Sequence, residues 1–134
     1  MGQLLVVDGY NIIHALPSFR RFLDPKLAKA RAALLRSLGQ MPAVKRGTVE
    51  VHVFFDAPGG RDIFDEEPLV AGVDVHFSDG FPADESIIDF VEMAENKSLI
   101  TVVTDDRSLA RRAGDVGAQT ISSAGLENRL ARGN

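Results

Sequence analysis

The chain has 134 residues, 45% hydrophobic and 25% charged. This composition suits one soluble domain with a real core, and no apolar run approaches the ~20 residues of a membrane helix. Cysteine is absent, which excludes disulfides, thiolate metal sites and thiol nucleophiles together. The 15 basic and 19 acidic residues leave a net charge of −4, an average that argues against a generic basic nucleic-acid-binding protein.

The first residues lead into an apolar segment without the basic flank, longer apolar region and cleavage site of a signal peptide. Position 6 is Val where a myristoylation motif needs Ser or Thr, so a cytoplasmic protein is expected. Short apolar runs then recur at 4–7, 49–55, 73–77, 99–103 and, weakly, 118–121, separated by helix-like stretches. This rhythm predicts a wound α/β domain over 1–134. The runs at 4–7 and 99–103 are apolar on consecutive residues, as in strands covered on both faces. By contrast, Val73, Val75 and Phe77 alternate with Asp74, His76 and Ser78, which predicts an edge strand.

After the first strand, Asp24 and Pro25 supply an N-cap and first-turn proline for a helix carrying Leu27, Ala30, Leu34 and Leu38, with Gly39 as its stop. Residues 57–69, with Pro58, Gly59, Gly60 and several acids, read as a mobile loop. A second helix from about Pro82 buries Ala83, Ile87, Phe90, Val91 and Ala94. A third follows Asp106 with Leu109, Ala110, Ala113 and Val116, and a last begins near Ser123 with Leu126 and Leu130.

In open parallel sheets, ligands bind beyond the carboxyl ends of the strands. Asp8 follows the first strand, Asp56 the second, and Asp105 and Asp106 the fourth, while Asp84 and Glu85 open the helix after the third. Each acid alone also reads as a turn, cap or first-turn residue. Together they predict one crevice whose like charges need a hard divalent cation, Mg²⁺ or Mn²⁺, and phosphodiester hydrolysis uses such an ion. If the first and fourth strands are neighbours, these acids converge.

The net charge hides a segregation. Residues 9–48 hold eight basic residues, among them Arg20, Arg21, Lys26, Lys29 and Arg31, against Asp24 alone, for +7. Residues 49–106 hold two basic and fifteen acidic residues, for −13, and residues 107–134 give +3. A basic flank beside an acidic crevice suits a nuclease, because the flank holds phosphates while the carboxylates hold metal. Lys26 and Lys29 taken singly also read as a solvated helix face. Arg107, just past the aspartate pair, is best placed to meet a scissile phosphate. His52 and His76 read as sheet-surface residues rather than catalytic bases.

Four segments in order, 4–13 with Asp8-Gly9-Tyr10-Asn11, 53–57 ending Asp56-Ala57, 83–88 with Asp84-Glu85, and 102–106 with Thr104-Asp105-Asp106, resemble the NYN domain of the PIN-like superfamily, in particular its YacP-like branch. The resemblance implies a three-layer α/β/α sandwich on a mainly parallel five-stranded sheet in order 3-2-1-4-5. It implies a Mg²⁺- or Mn²⁺-dependent endoribonuclease in which Asp8, Asp84 and Asp106 hold metal, Asn11 orients the site, and Glu85 and Asp105 are auxiliary ligands. RNA, single-stranded, is the implied partner, and some relatives act on mRNA in association with the ribosome. Many PIN-like nucleases carry a further acid two residues after the position matching Asp106, where this chain has Ser108. The competing expectation is a non-catalytic RNA- or ribosome-binding module that retains the fold.

Overall fold

The computed structural model describes residues 2–23, 27–57, 67–79 and 81–132. Lys26, the expected cap at Asp24 and Pro25, and residues 58–66 of the expected loop lie outside them. Five strands, β1 (Gln3–Asp8), β2 (Val49–Ala57), β3 (Val73–Asp79), β4 (Ile100–Val103) and β5 (Gln119–Ile121), form one sheet in order β3-β2-β1-β4-β5. Every pairing within it is parallel. β3 is at an edge, as its alternating pattern predicts, and β1 and β4 are neighbours, with Val7 opposite Val103.

Side chains alternate across a strand, so odd and even positions feed two different cores. Leu5, Val7, Val51, Val53, Phe55 and Val103 pack with helices α1 (Gly9–Ala15), α2 (Pro17–Arg20), α3 (Leu27–Gly39), α4 (Pro42–Lys45) and α7 (Ser123–Arg132). On the opposite face, Val6, Phe54, Ile100 and Val102 pack with α5 (Ala83–Met93) and α6 (Arg107–Asp115). Parallel sheets are stable only with both faces covered, and here each face has its own apolar layer.

Three details depart from the pattern read in the sequence. Leu27 is exposed, whereas Ala30, Leu34 and Leu38 on the same stripe are buried, because Leu27 sits at the helix start, beyond the contact with the sheet. Gly39 closes α3 without a left-handed backbone; its role is steric, since a Cβ there would overlap the Val70 side chain. Arg31, counted among the basic flank, is buried with its Nε donating to Glu67 Oε1 at 2.6 Å and an Nη1–H to the Tyr10 hydroxyl at 3.0 Å, so its charge is used inside the fold. The short helices α2 and α4, each four residues long with a proline in the first turn, have too little periodicity to be read in advance.

Candidate active site

The alternation that splits the core also sorts the acids at the strand ends. Asp8, at the end of β1, has the parity of Val6, and Thr104, just past β4, has that of Val102, so both face the α5 and α6 layer. Thr104 is buried and bridges two aspartates: its hydroxyl donates to Asp8 Oδ2 at 2.9 Å and accepts from the Asp106 backbone N–H at 3.0 Å. Nothing in the sequence marked this threonine beyond its place before the acid pair.

Asp106 is the N-cap of α6, with Oδ1 accepting from the N–H groups of Ser108 at 2.9 Å and Leu109 at 3.2 Å. Such a cap is worth about 1 kcal/mol. Ser108, at the position where many PIN-like nucleases carry an acid, thus contributes its backbone N–H to Asp106. One oxygen of Asp8 and one of Asp106 are spent in this way, and each keeps a second.

Burial pushes the Asp8 carboxyl up to about 6, and the neighbouring charges of Asp106, Asp84 and Asp56 push the same way against the Thr104 hydrogen bond. Carboxylates from three other chain segments therefore act electrostatically on Asp8. Asp84 lies in the first turn of α5, where the helix dipole favours it, and its Oδ1 accepts from the Glu85 N–H at 2.9 Å.

Three expected site residues have partners that the sequence did not disclose. Glu85 is exposed and takes both guanidinium ends of Arg112, at 2.9 and 3.0 Å. This hydrogen-bonded pair holds the Glu85 carboxyl below its usual range, and the same guanidinium reaches Asp84 at 3.9 Å. Asp105 has the opposite parity to Asp106 and turns toward α7, where Oδ1 accepts from the Ser123 N–H at 2.7 Å and Oδ2 from its hydroxyl at 2.6 Å. Its own N–H donates to Asn11 Oδ1 at 2.8 Å, so Asn11 fixes the loop between β4 and α6 from the side of α1. Ser123→Ala is expected to lower stability by about 1 kcal/mol in urea denaturation, the usual cost of one such hydrogen bond.

Arg107 is exposed at the first position of α6, beside Asp106. Arg20 and Lys29 are exposed on α2 and α3, and Arg21 is exposed with its guanidinium 4.8 Å from the centre of the Phe22 ring.

The donor set of the crevice is all oxygen, which suits Mg²⁺ or Mn²⁺, and the mutual repulsion felt at Asp8 is what a cation would relieve. Among the described residues, Glu50, His52 and Asp74 form the one trio whose ligand atoms all lie within 4.8 Å of one another. Asp8, Asp84 and Asp106 form no such trio among the described residues. No helix among the described residues is long and apolar enough to cross a membrane.

The chain is similar in structure to Rae1 (YacP) from Bacillus subtilis, with a TM-score of 0.79 and 25% identity over 97% of this chain and 74% of that one. A crystal structure of a tryptophan-to-leucine mutant of the same protein gives 0.77 and 24% identity, over 97% and 75%. No curated protein matches the chain. The family model of the YacP-like NYN domain matches residues 5–134, and the chain belongs to that family.

Proposed function

We propose that residues 1–134 act as one domain, a cytoplasmic, metal-dependent endoribonuclease that hydrolyses RNA phosphodiester bonds at the crevice of Asp8, Asp84 and Asp106. The observation that carries this reading is Asp8: a carboxyl at the end of a central strand, pushed up to about 6 by burial and by three other aspartates. Perturbed carboxyls at the carboxyl end of a parallel sheet mark working sites. Held by Asp8, Asp84 and Asp106, Mg²⁺ or Mn²⁺ supplies water activation and charge neutralisation at phosphorus.

The chain's own residues do the rest. Thr104 ties the Asp8 carboxylate to the Asp106 backbone, so the ends of β1 and β4 keep one relative placement. Asn11 does the same for the backbone of Asp105. Arg107, exposed beside Asp106, meets a phosphate of the bound strand, and Arg20, Arg21, Lys26 and Lys29 hold the flanking single-stranded RNA. Glu85 and Asp105 are held in place by Arg112 and Ser123, and their carboxylate oxygens keep lone pairs for the role of auxiliary metal ligands.

The test is incubation with labelled single-stranded RNA, duplex RNA and DNA, in Mg²⁺, Mn²⁺ or EDTA. Cleavage of single-stranded RNA with metal only is expected, reduced about 10²-fold or more by Asp106→Asn. Asn caps a helix as well as Asp does, so α6 stays intact in that variant. No cleavage by the wild type across these substrates and metals overturns the proposal. RNA binding without turnover, at an affinity indifferent to Asp106→Asn, would instead identify a non-catalytic RNA-binding module, on the ribosome or elsewhere.

A further inference from the structure

A second constellation lies on the same face of the sheet, one to two strands from Asp8 toward the edge. His52 on β2 is directly opposite Asp74 on β3, and His76 is opposite Phe54. His52 is 8% exposed, with Nδ1 2.9 Å from His76 Nε2 and 3.7 Å from Asp74 Oδ2. Its other nitrogen, Nε2, faces Glu50 Oε2 at 3.3 Å.

A neutral imidazole carries one N–H, and a carboxylate fixes which nitrogen holds it. Carboxylates flank His52 at both nitrogens, Glu50 at Nε2 and Asp74 at Nδ1, and His76 adds a second imidazole nitrogen at Nδ1. This is the arrangement of metal-binding histidines, whose second nitrogen donates to a carboxylate. Either His52 Nδ1 or His76 Nε2 donates across the 2.9 Å contact, and a shift of its proton to the other nitrogen of its own ring frees a second lone pair at the same point. His52 Nδ1 thus faces an imidazole nitrogen and a carboxylate oxygen of the neighbouring strand, and His52 forms with Glu50 and Asp74 the trio within 4.8 Å.

We propose that Glu50, His52 and Asp74, with His76 against His52, form a binding site for a divalent transition ion of the zinc class, separate from the carboxylate crevice. Imidazole donors select zinc, nickel, copper and cobalt over magnesium, whereas the all-oxygen crevice has the reverse preference. The spacing is close to what is needed: bonds of 2.0–2.1 Å in a tetrahedron put donor atoms about 3.3 Å apart, so the 2.9 Å pair opens by a few tenths of an ångström. Phe54 stacks on His76 with ring centres 4.4 Å apart, and Phe90 packs on His52 at 4.7 Å, which holds both rings. Asp74 is 61% exposed and Glu50 57%, leaving the ion a way in and an open coordination position. Bound there, the ion ties the edge strand β3 to β2.

The experiment is titration of untagged, chelator-treated protein with Co²⁺, read by the visible bands of four- or five-coordinate cobalt, followed by displacement with Zn²⁺. One ion per chain is expected, with affinity falling about 10- to 100-fold in Asp74→Asn and further in His76→Gln, and unchanged in Asp8→Asn. Asp74 is exposed enough for its variant to fold, so the test survives a failure of His76→Gln. The proposal is overturned if no such bands form, if they persist in Asp74→Asn and His76→Gln, or if Asp8→Asn removes them. The site does not depend on the nuclease reading, and cobalt binding is measured without RNA.

Discussion

Asp8→Asn is expected to abolish RNA cleavage, by about 10³-fold, and at the same time to make the metal-free protein more stable at pH 8. The two effects have one cause. Burial and the charges of Asp106, Asp84 and Asp56 raise the Asp8 carboxyl from 3.8 to about 6, so the fold favours its protonated form. Below pH 3.8 both folded and unfolded chains hold the proton and the shift costs nothing. As pH rises through about 6 that advantage is lost, and above it ionised Asp8 destabilises the fold by about 3 kcal/mol.

Asn removes the charge and still accepts from Thr104 through its amide oxygen. The gain in Tm over wild type should therefore be about ten degrees at pH 8 in EDTA and vanish below about pH 4. Mg²⁺ or Mn²⁺ should raise the wild-type Tm and leave the variant nearly unmoved, since only the wild type gains by binding. An Asn variant less stable than wild type at pH 8 would return Asp8 to a turn-forming role. Undiminished cleavage would move the reaction out of the crevice.

The strands were legible because parallel strands buried on both faces need consecutive apolar residues, and 4–7 and, apart from Thr101, 99–103 have them, whereas their order was implied only by the resemblance to the NYN domain. The edge position of β3 followed from alternation. Asp8, Asp84 and Asp106 were legible as acids at the ends of elements, where the sheet topology gathers them. The partners of those acids were not. Thr104, Arg112 and Ser123 contact residues 18 to 96 positions away, and no local period encodes such a pairing. The parity of adjacent residues could have separated Asp105 from Asp106, because a one-residue step past a strand changes the face of the sheet. The two histidines looked unremarkable for the same reason: β2 and β3 bring them together only once their register is known.

Gly9→Ala is expected to cost about 1–3 kcal/mol and at least about tenfold in cleavage, although Ala is the better helix former by about 1 kcal/mol. Gly9 is the buried first residue of α1, between Asp8 and Asn11. A Cβ there would overlap the Phe55 ring and come within 2.9 Å of the Phe54 carbonyl oxygen. That carbonyl belongs to β2 and does not yield. The Phe55 ring is fully buried, against Tyr10 at 4.9 Å and Phe77 at 5.7 Å between centres, so it has little room to turn. The helix must lift off the sheet instead, and it carries Asn11 away from the Asp105 N–H and loosens the end of β1 that holds Asp8. Phe55→Leu in the same chain should recover part of the stability lost at position 9, a coupling visible in a double-mutant cycle. A rise in Tm from Gly9→Ala alone would mean that propensity outweighs contact at this position, and that α1 does not rest on β2 as closely as the site requires.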